Sequence, residues 1–277
     1  MPVVGDRVRY GDQFGYLALP LYARAPVPGV VLIHDLLGLD GFDEDLARRI
    51  AAAGYAVLAP DLFAVDGQRP PALQRDRIVE AMSFLGSQPA TVLADEAARQ
   101  KALDGLPEED RLRVMETIRE VFAFRAPSRL LSLVGPLRLA VAHLRHERDE
   151  TRGQRVASVG EGLSALLACQ EPELSAAVVL YGTTPPTELV AKVRCPVLAF
   201  YGSRDTSVNA GIPAFADGMR AAGKPFESHV YEGAGHGFFN DCQPRFFDLD
   251  SSRDAFARML TFLLTAIGST RAGIEKD

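Results

Sequence analysis

The chain is poor in cysteine: Cys169, Cys195 and Cys242 are odd in number, widely spaced and without a CxxC pair. That excludes a disulfide framework and a thiolate zinc site, and leaves buried or incidental thiols as the expectation. The histidines lack ligand spacing, and no glycine-rich loop with its lysine is present, so no metal and no cofactor is expected. No apolar run approaches a membrane span, and Met1 to Arg7 holds no basic segment leading into an apolar stretch. The expectation is a cytoplasmic protein with no membrane partner. Cationic residues are not in excess, with 30 Lys and Arg against 36 Asp and Glu and a net charge of -6, which argues against a nucleic-acid partner. Internal repeats and low-complexity tracts are also lacking. The sequence does not fix an oligomeric state.

What is present suits one α/β domain over residues 1–277, with 47% hydrophobic residues. Short apolar runs bounded by Gly and Pro recur at Gly15 to Leu19, Val30 to His34, Ala56 to Ala59, Val156 to Val159, Ala176 to Tyr181, Val197 to Tyr201 and Ser228 to Tyr231. Continuous apolar residues without polar alternation mark strands covered on both faces. Helical patterns lie between them: Phe42 to Ala53 stops at Gly54, and Asn209 to Ala222 stops at Gly223. Alternating strand and helix implies a mostly parallel sheet flanked by helices.

Residues 64–134 break this rhythm with at least three helical patterns and no convincing strand. In Glu108 to Phe124, the residues Leu112, Met115, Ile118 and Phe122 recur at helical spacing and are expected on one buried face. Such a helical insertion either caps the carboxyl edge of the sheet, where ligands bind, or packs on its flank. The tail, Ser269 to Asp277, is polar and is expected to fray.

Three segments carry chemistry. Arg155 to Ala168 reads as a buried strand passing through a sharp glycine-bearing turn, Gly160-Glu161-Gly162, into a helix. Downstream come an acid, Asp205 in Tyr201-Gly202-Ser203-Arg204-Asp205, and a base, His236 in Gly233-Ala234-Gly235-His236-Gly237-Phe238. Singly, each is also a common turn or loop residue.

Together with Gly15 to Pro20, Pro28 to Leu39, Ala53 to Phe63 and Asn240-Asp241, these segments resemble the dienelactone hydrolase family of α/β hydrolases along most of the chain. The resemblance implies an α/β-hydrolase fold, with His236 as general base and Asp205 orienting it. It implies an oxyanion hole from the backbone N–H groups of Leu36 and Leu163. Asp35 falls where the family has a glutamate beside the nucleophile. The family elbow reads Gly-aromatic-Cys-x-Gly-Gly, whereas Gly162 stands here in the place of the cysteine, with Glu161 in the place of the aromatic. Asn240 takes the position of an arginine that helps hold an anionic substrate, which speaks against a dienelactone carboxylate. Ser158 reads as strand core, and Ser164 as a helix-start serine bonding backbone or solvent.

Two readings follow. One is a hydrolase of a small ester or lactone in which the side chain missing at Gly162 leaves room for a water. His236 and Asp205 would activate that water, or would move a proton on the substrate, without an acyl-enzyme. The other is a degenerate hydrolase that binds a small ligand for sensing or control.

Overall fold

The computed structural model describes residues 1–89, 92, 95–124 and 126–268. The expected fraying of Ser269 to Asp277 lies outside the described residues. Eight strands form one sheet: β1 Val3–Tyr10, β2 Gln13–Pro20, β3 Gly29–Ile33, β4 Ala56–Pro60, β5 Val156–Gly160, β6 Ala176–Leu180, β7 Val197–Gly202 and β8 Phe226–Tyr231. They are ordered β1-β2-β4-β3-β5-β6-β7-β8. β1 and β2 pair antiparallel with each other and β2 with β4, while the strands from β4 to β8 run parallel. This is the α/β-hydrolase class of fold, a mostly parallel sheet with helices on both faces.

The central strands are apolar along their whole length because both faces are covered. Val31, Ile33, Ala177, Val179, Val197 and Ala199 face a layer that includes Leu137, Val141, Leu167, Phe215 and Met219. Their neighbours Val30, Leu32, Val57, Val178, Leu198 and Phe200 face the other layer, with Leu46, Ile50, Met259 and Leu263. The helix α1, Gly41–Ala52, starts at a reciprocal capping box between Asp40 and Asp43 and stops before Gly54, whose φ is 105°.

Two strands depart from expectation. β1 escapes the sequence reading because it is an edge strand of alternating exposure that takes its partner only from β2. β8 is not covered on both faces: it lies at the opposite edge, its residues are half-buried or exposed, and Val230 points largely to solvent.

Between β4 and β5 lie α2 Arg75–Ser87, α3 Glu96–Leu103, α4 Glu108–Phe124 and α5 Pro127–Ala142. The helical stretch therefore runs past Val134, because α5 continues through Pro136 while Leu137, Ala140 and Val141 bury against the sheet. On α4 the buried residues are Val114, Thr117, Ile118, Val121 and Phe124, whereas Leu112 and Phe122 are 50% and 40% exposed. Two apolar stripes on α4 share the helical period, and packing against α2 and α5 selects the one that includes Thr117.

Candidate active site

The parallel topology collects the carboxyl ends of β3, β5, β6, β7 and β8 along one edge. A cavity of about 670 Å³ opens there, lined among others by His34, Asp35, Leu36, Glu161, Gly162, Leu163, Thr183, Asp205 and His236. Phe124 and Leu130, from the helical stretch, complete its wall. Both belong to a cluster with Phe63, Leu36 and Leu163, which ties those helices to the loops of the site.

Asp205 and His236 meet although 31 residues separate them. His236 Nδ1 lies 2.7 Å from Asp205 Oδ2. A Cβ at Gly202 would come within 2.5 Å of the Ala234 carbonyl, so glycine at the end of β7 lets the histidine loop approach. Hydrogen bonds from Arg204 N to Ala234 O (3.0 Å) and from Gly233 N to Ser203 Oγ (2.9 Å) pin the two loops together. Gly233 and Gly237 flank the histidine with φ of 77° and 79°, a region that most side chains avoid. Asp205 is nearly buried and also accepts a bond from Ser207 Oγ at 3.2 Å.

The other ring nitrogen of His236 faces Glu161. Nε2 is 3.8 Å from Glu161 Oε1, beyond a direct hydrogen bond, so the imidazole stands between two carboxylates. The ring of Tyr181 meets that of His236 edge-on at 5.1 Å. Tyr181 holds a positive φ of 42°, unusual for an aromatic residue, where the chain leaves β6.

Gly162 is not beside empty space. A Cβ there would lie 2.7 Å from Thr183 Oγ1 and 2.8 Å from the Thr183 carbonyl oxygen. A Cβ on Gly182 would in turn collide with the backbone of Glu161 and Gly162. Paired glycines let the chain after β6 press onto the strand-helix turn, so the room expected for a water in place of a missing side chain is taken by Thr183. The turn itself is milder than the sequence suggests, since neither Gly160 nor Gly162 is among the residues of positive φ. α6, Gly162–Gln170, begins directly at Gly162.

Neither Leu36 N–H nor Leu163 N–H has a hydrogen-bond partner among the described residues. Both residues line the cavity. Asp35 accepts from Leu37 N at 2.8 Å and from Asn240 Nδ2 at 3.3 Å. Burial, then the Glu161 carboxylate, pushes its pKa up to about 7. Asn240 is itself buried and lies outside the cavity lining, so it serves Asp35 from behind rather than facing a ligand. Ser158 and Ser164 are both buried and bond each other, Oγ to Oγ, at 2.7 Å. Ser164 therefore turns into the core instead of bonding backbone or solvent.

Sequence reasoning missed His34, Tyr181 and Thr183. His34 Nε2 accepts from Leu62 N (3.1 Å), so Nδ1 carries the proton and donates to the Asp35 carbonyl (2.7 Å). Burial lowers its pKa, in keeping with a neutral ring. His34 ends a recognisable strand and could have been singled out, but the contact of Thr183 with Gly162 has no local signal.

A family model described as the dienelactone hydrolase family matches residues 14–267. A protein of Saccharolobus solfataricus, named provisionally as a carboxymethylenebutenolidase, is 27% identical over 249 residues, covering 90% of this chain and 92% of its own. One from Escherichia coli with the same provisional name is 26% identical over 265 residues, covering 90% and 82%. A crystal structure from Klebsiella pneumoniae, titled provisionally as a dienelactone hydrolase, superposes with a TM-score of 0.65 at 20% identity, covering 94% of this chain and 98% of that one. A dienelactone hydrolase-like promiscuous phosphotriesterase from metagenomic libraries gives 0.65 at 19% identity, covering 96% and 99%. At such identities the superpositions speak for the fold.

Proposed function

The chain belongs to the dienelactone hydrolase family, and from that premise we propose that it hydrolyses a small ester or lactone by activating water, without an acyl-enzyme. His236, held by Asp205, takes a proton from a water that attacks the carbonyl carbon. The carbonyl oxygen is received by the N–H groups of Leu36 and Leu163 as it gains negative charge. Breakdown of the tetrahedral intermediate returns the proton to the leaving alkoxide. Gly162, at the family's nucleophile position, supplies no attacking atom. The observation that carries this reading is the 2.7 Å contact of His236 Nδ1 with Asp205, which leaves Nε2 on the cavity side. Phe124 and Leu130 act as a cap over the substrate, the role proposed for the helical insertion.

The test is turnover of a chromogenic short-chain ester and a small lactone. His236→Ala is expected to lower kcat/KM by about 10² to 10⁴, and a serine- or cysteine-directed covalent probe is expected to leave no adduct. Activity unchanged in His236→Ala places the chemistry elsewhere. A second reading, a ligand-binding protein descended from a hydrolase, draws on Thr183 filling the space beside Gly162. Ligand binding with no turnover of any ester or lactone decides for it.

A further inference from the structure

The strand-helix turn carries an acid beside its glycine. Glu161 lines the cavity, its side chain 17% exposed, with Oε1 3.8 Å from His236 Nε2. Its backbone is fixed: Ser164 N donates to its carbonyl at 2.9 Å, and Gly182 lets the chain after β6 press against it. Nε2 of the base therefore faces one carboxylate while Asp205 holds Nδ1. Glu161 also has a further partner, but a carboxylate attacks through one oxygen and can keep the other held.

Glu161 takes no part in the water activation proposed above. Against an ester carbonyl it is an unproductive nucleophile, because the tetrahedral adduct expels the carboxylate, a far weaker base than an alkoxide. At a strained saturated carbon the displacement runs one way and leaves an ordinary ester, which water activated by a histidine can cleave. The ring oxygen that leaves needs a proton. Asp35 lines the same cavity, and burial, then the Glu161 charge, pushes its pKa up to about 7.

We propose that the site hydrates epoxides through an ester formed on Glu161. Oε1 attacks a ring carbon, the bond from that carbon to the ring oxygen breaks, and the freed oxygen takes the proton of Asp35. His236 then takes a proton from a water whose oxygen adds to the carboxyl carbon of Glu161. The intermediate expels the diol oxygen, which takes that proton from His236, and the second water proton passes from the new Glu161 carboxyl to Asp35. One epoxide and one water thus give one diol. Phe124, Leu130 and Leu163 offer an apolar wall to the rest of the epoxide. The second half rests on the water activation of the hydrolase reading, applied to an ester that the protein itself carries.

The experiment gives phenyl glycidyl ether to the full chain in water enriched in heavy oxygen. With protein in excess over epoxide, the first diol is expected to carry no heavy oxygen, which enters the peptide holding Glu161 instead. Heavy oxygen in the first diol means direct attack by water and overturns the proposal. His236→Ala is expected to stall at the ester, with the mass of the epoxide added on the same peptide. No adduct, or an adduct on other side chains only, overturns it as well. Glu161→Gln is expected to lower epoxide hydration by at least about 10²-fold, and undiminished hydration counts against the role given to Glu161. Ester turnover by a protein that neither hydrates the epoxide nor forms the adduct sinks this proposal alone; a Glu161 ester with no turnover of added esters or lactones sinks the hydrolase reading alone.

Discussion

A methyl group at position 162 would meet both the hydroxyl and the carbonyl oxygen of Thr183. The hydroxyl can rotate away, but the carbonyl belongs to a backbone held by Gly182 against the turn. Gly162→Ala and Gly162→Cys are therefore expected to destabilise the fold by about 1–3 kcal/mol, the usual range for overpacking, in denaturant melts. Gly162→Cys is also expected to leave esterase activity unimproved, because its thiol cannot take up position until Thr183 moves. A wild-type melt together with a large gain in activity contradicts both. Asp35 gives a second residue-scale prediction. Its folded pKa, about 7, lies well above the ordinary carboxylate value of 3.8. As pH rises from about 4 to 7 the unfolded chain releases this proton while the folded chain keeps it, so stability falls across that window. Asp35→Asn is expected to remove this slope, gaining on the order of 3 kcal/mol on the wild type between pH 4.5 and pH 8. Parallel stability curves for the two proteins reject the assignment.

At the scale of elements, α5 does two jobs. Its Leu137, Ala140 and Val141 lie fully buried against the sheet, and its Leu130 reaches the cavity. Leu137→Ala is expected to cost about 2–5 kcal/mol through the cavity it leaves. Leu131→Ala, on the exposed side of the same helix, should stay within about 0.5 kcal/mol. Equal losses in urea melts would mean that α5 packs differently. α4 teaches why a period does not identify a face: Leu112 and Phe122 fit the helical repeat as well as Val114 and Val121 do. The neighbouring helices, α2, α3 and α5, decide which stripe is covered, and Thr117 is covered with it, a residue that hydrophobicity alone would leave outside.

At the scale of the molecule, fold and site are separable. The sheet is held by two apolar layers, whereas His236 is 43% exposed at its carboxyl edge. His236→Ala is expected to keep a thermal midpoint within a few degrees of the wild type while activity is lost, a result that unfolding of the variant would exclude. The same edge explains the distribution of charge, since β3, β5 and β7 each end in a loop that presents an acid to one space.

The central strands, the helix stops at Gly54 and Gly223, and the residues Asp205 and His236 were legible in the chain because each rests on a local signal: an apolar run bounded by breakers, or a short motif at a strand end. That residue 162 is a glycine and carries no side chain is likewise a plain fact of sequence. The edge strand β1, the buried face of α4, the pairing of Ser158 with Ser164, the retreat of Asn240 behind Asp35 and the intrusion of Thr183 were not legible. Each depends on which segments the parallel sheet sets side by side. The sequence determined that residue 162 carries no side chain; only the tertiary structure decided that Thr183, brought in from the loop after β6, fills the space beside it.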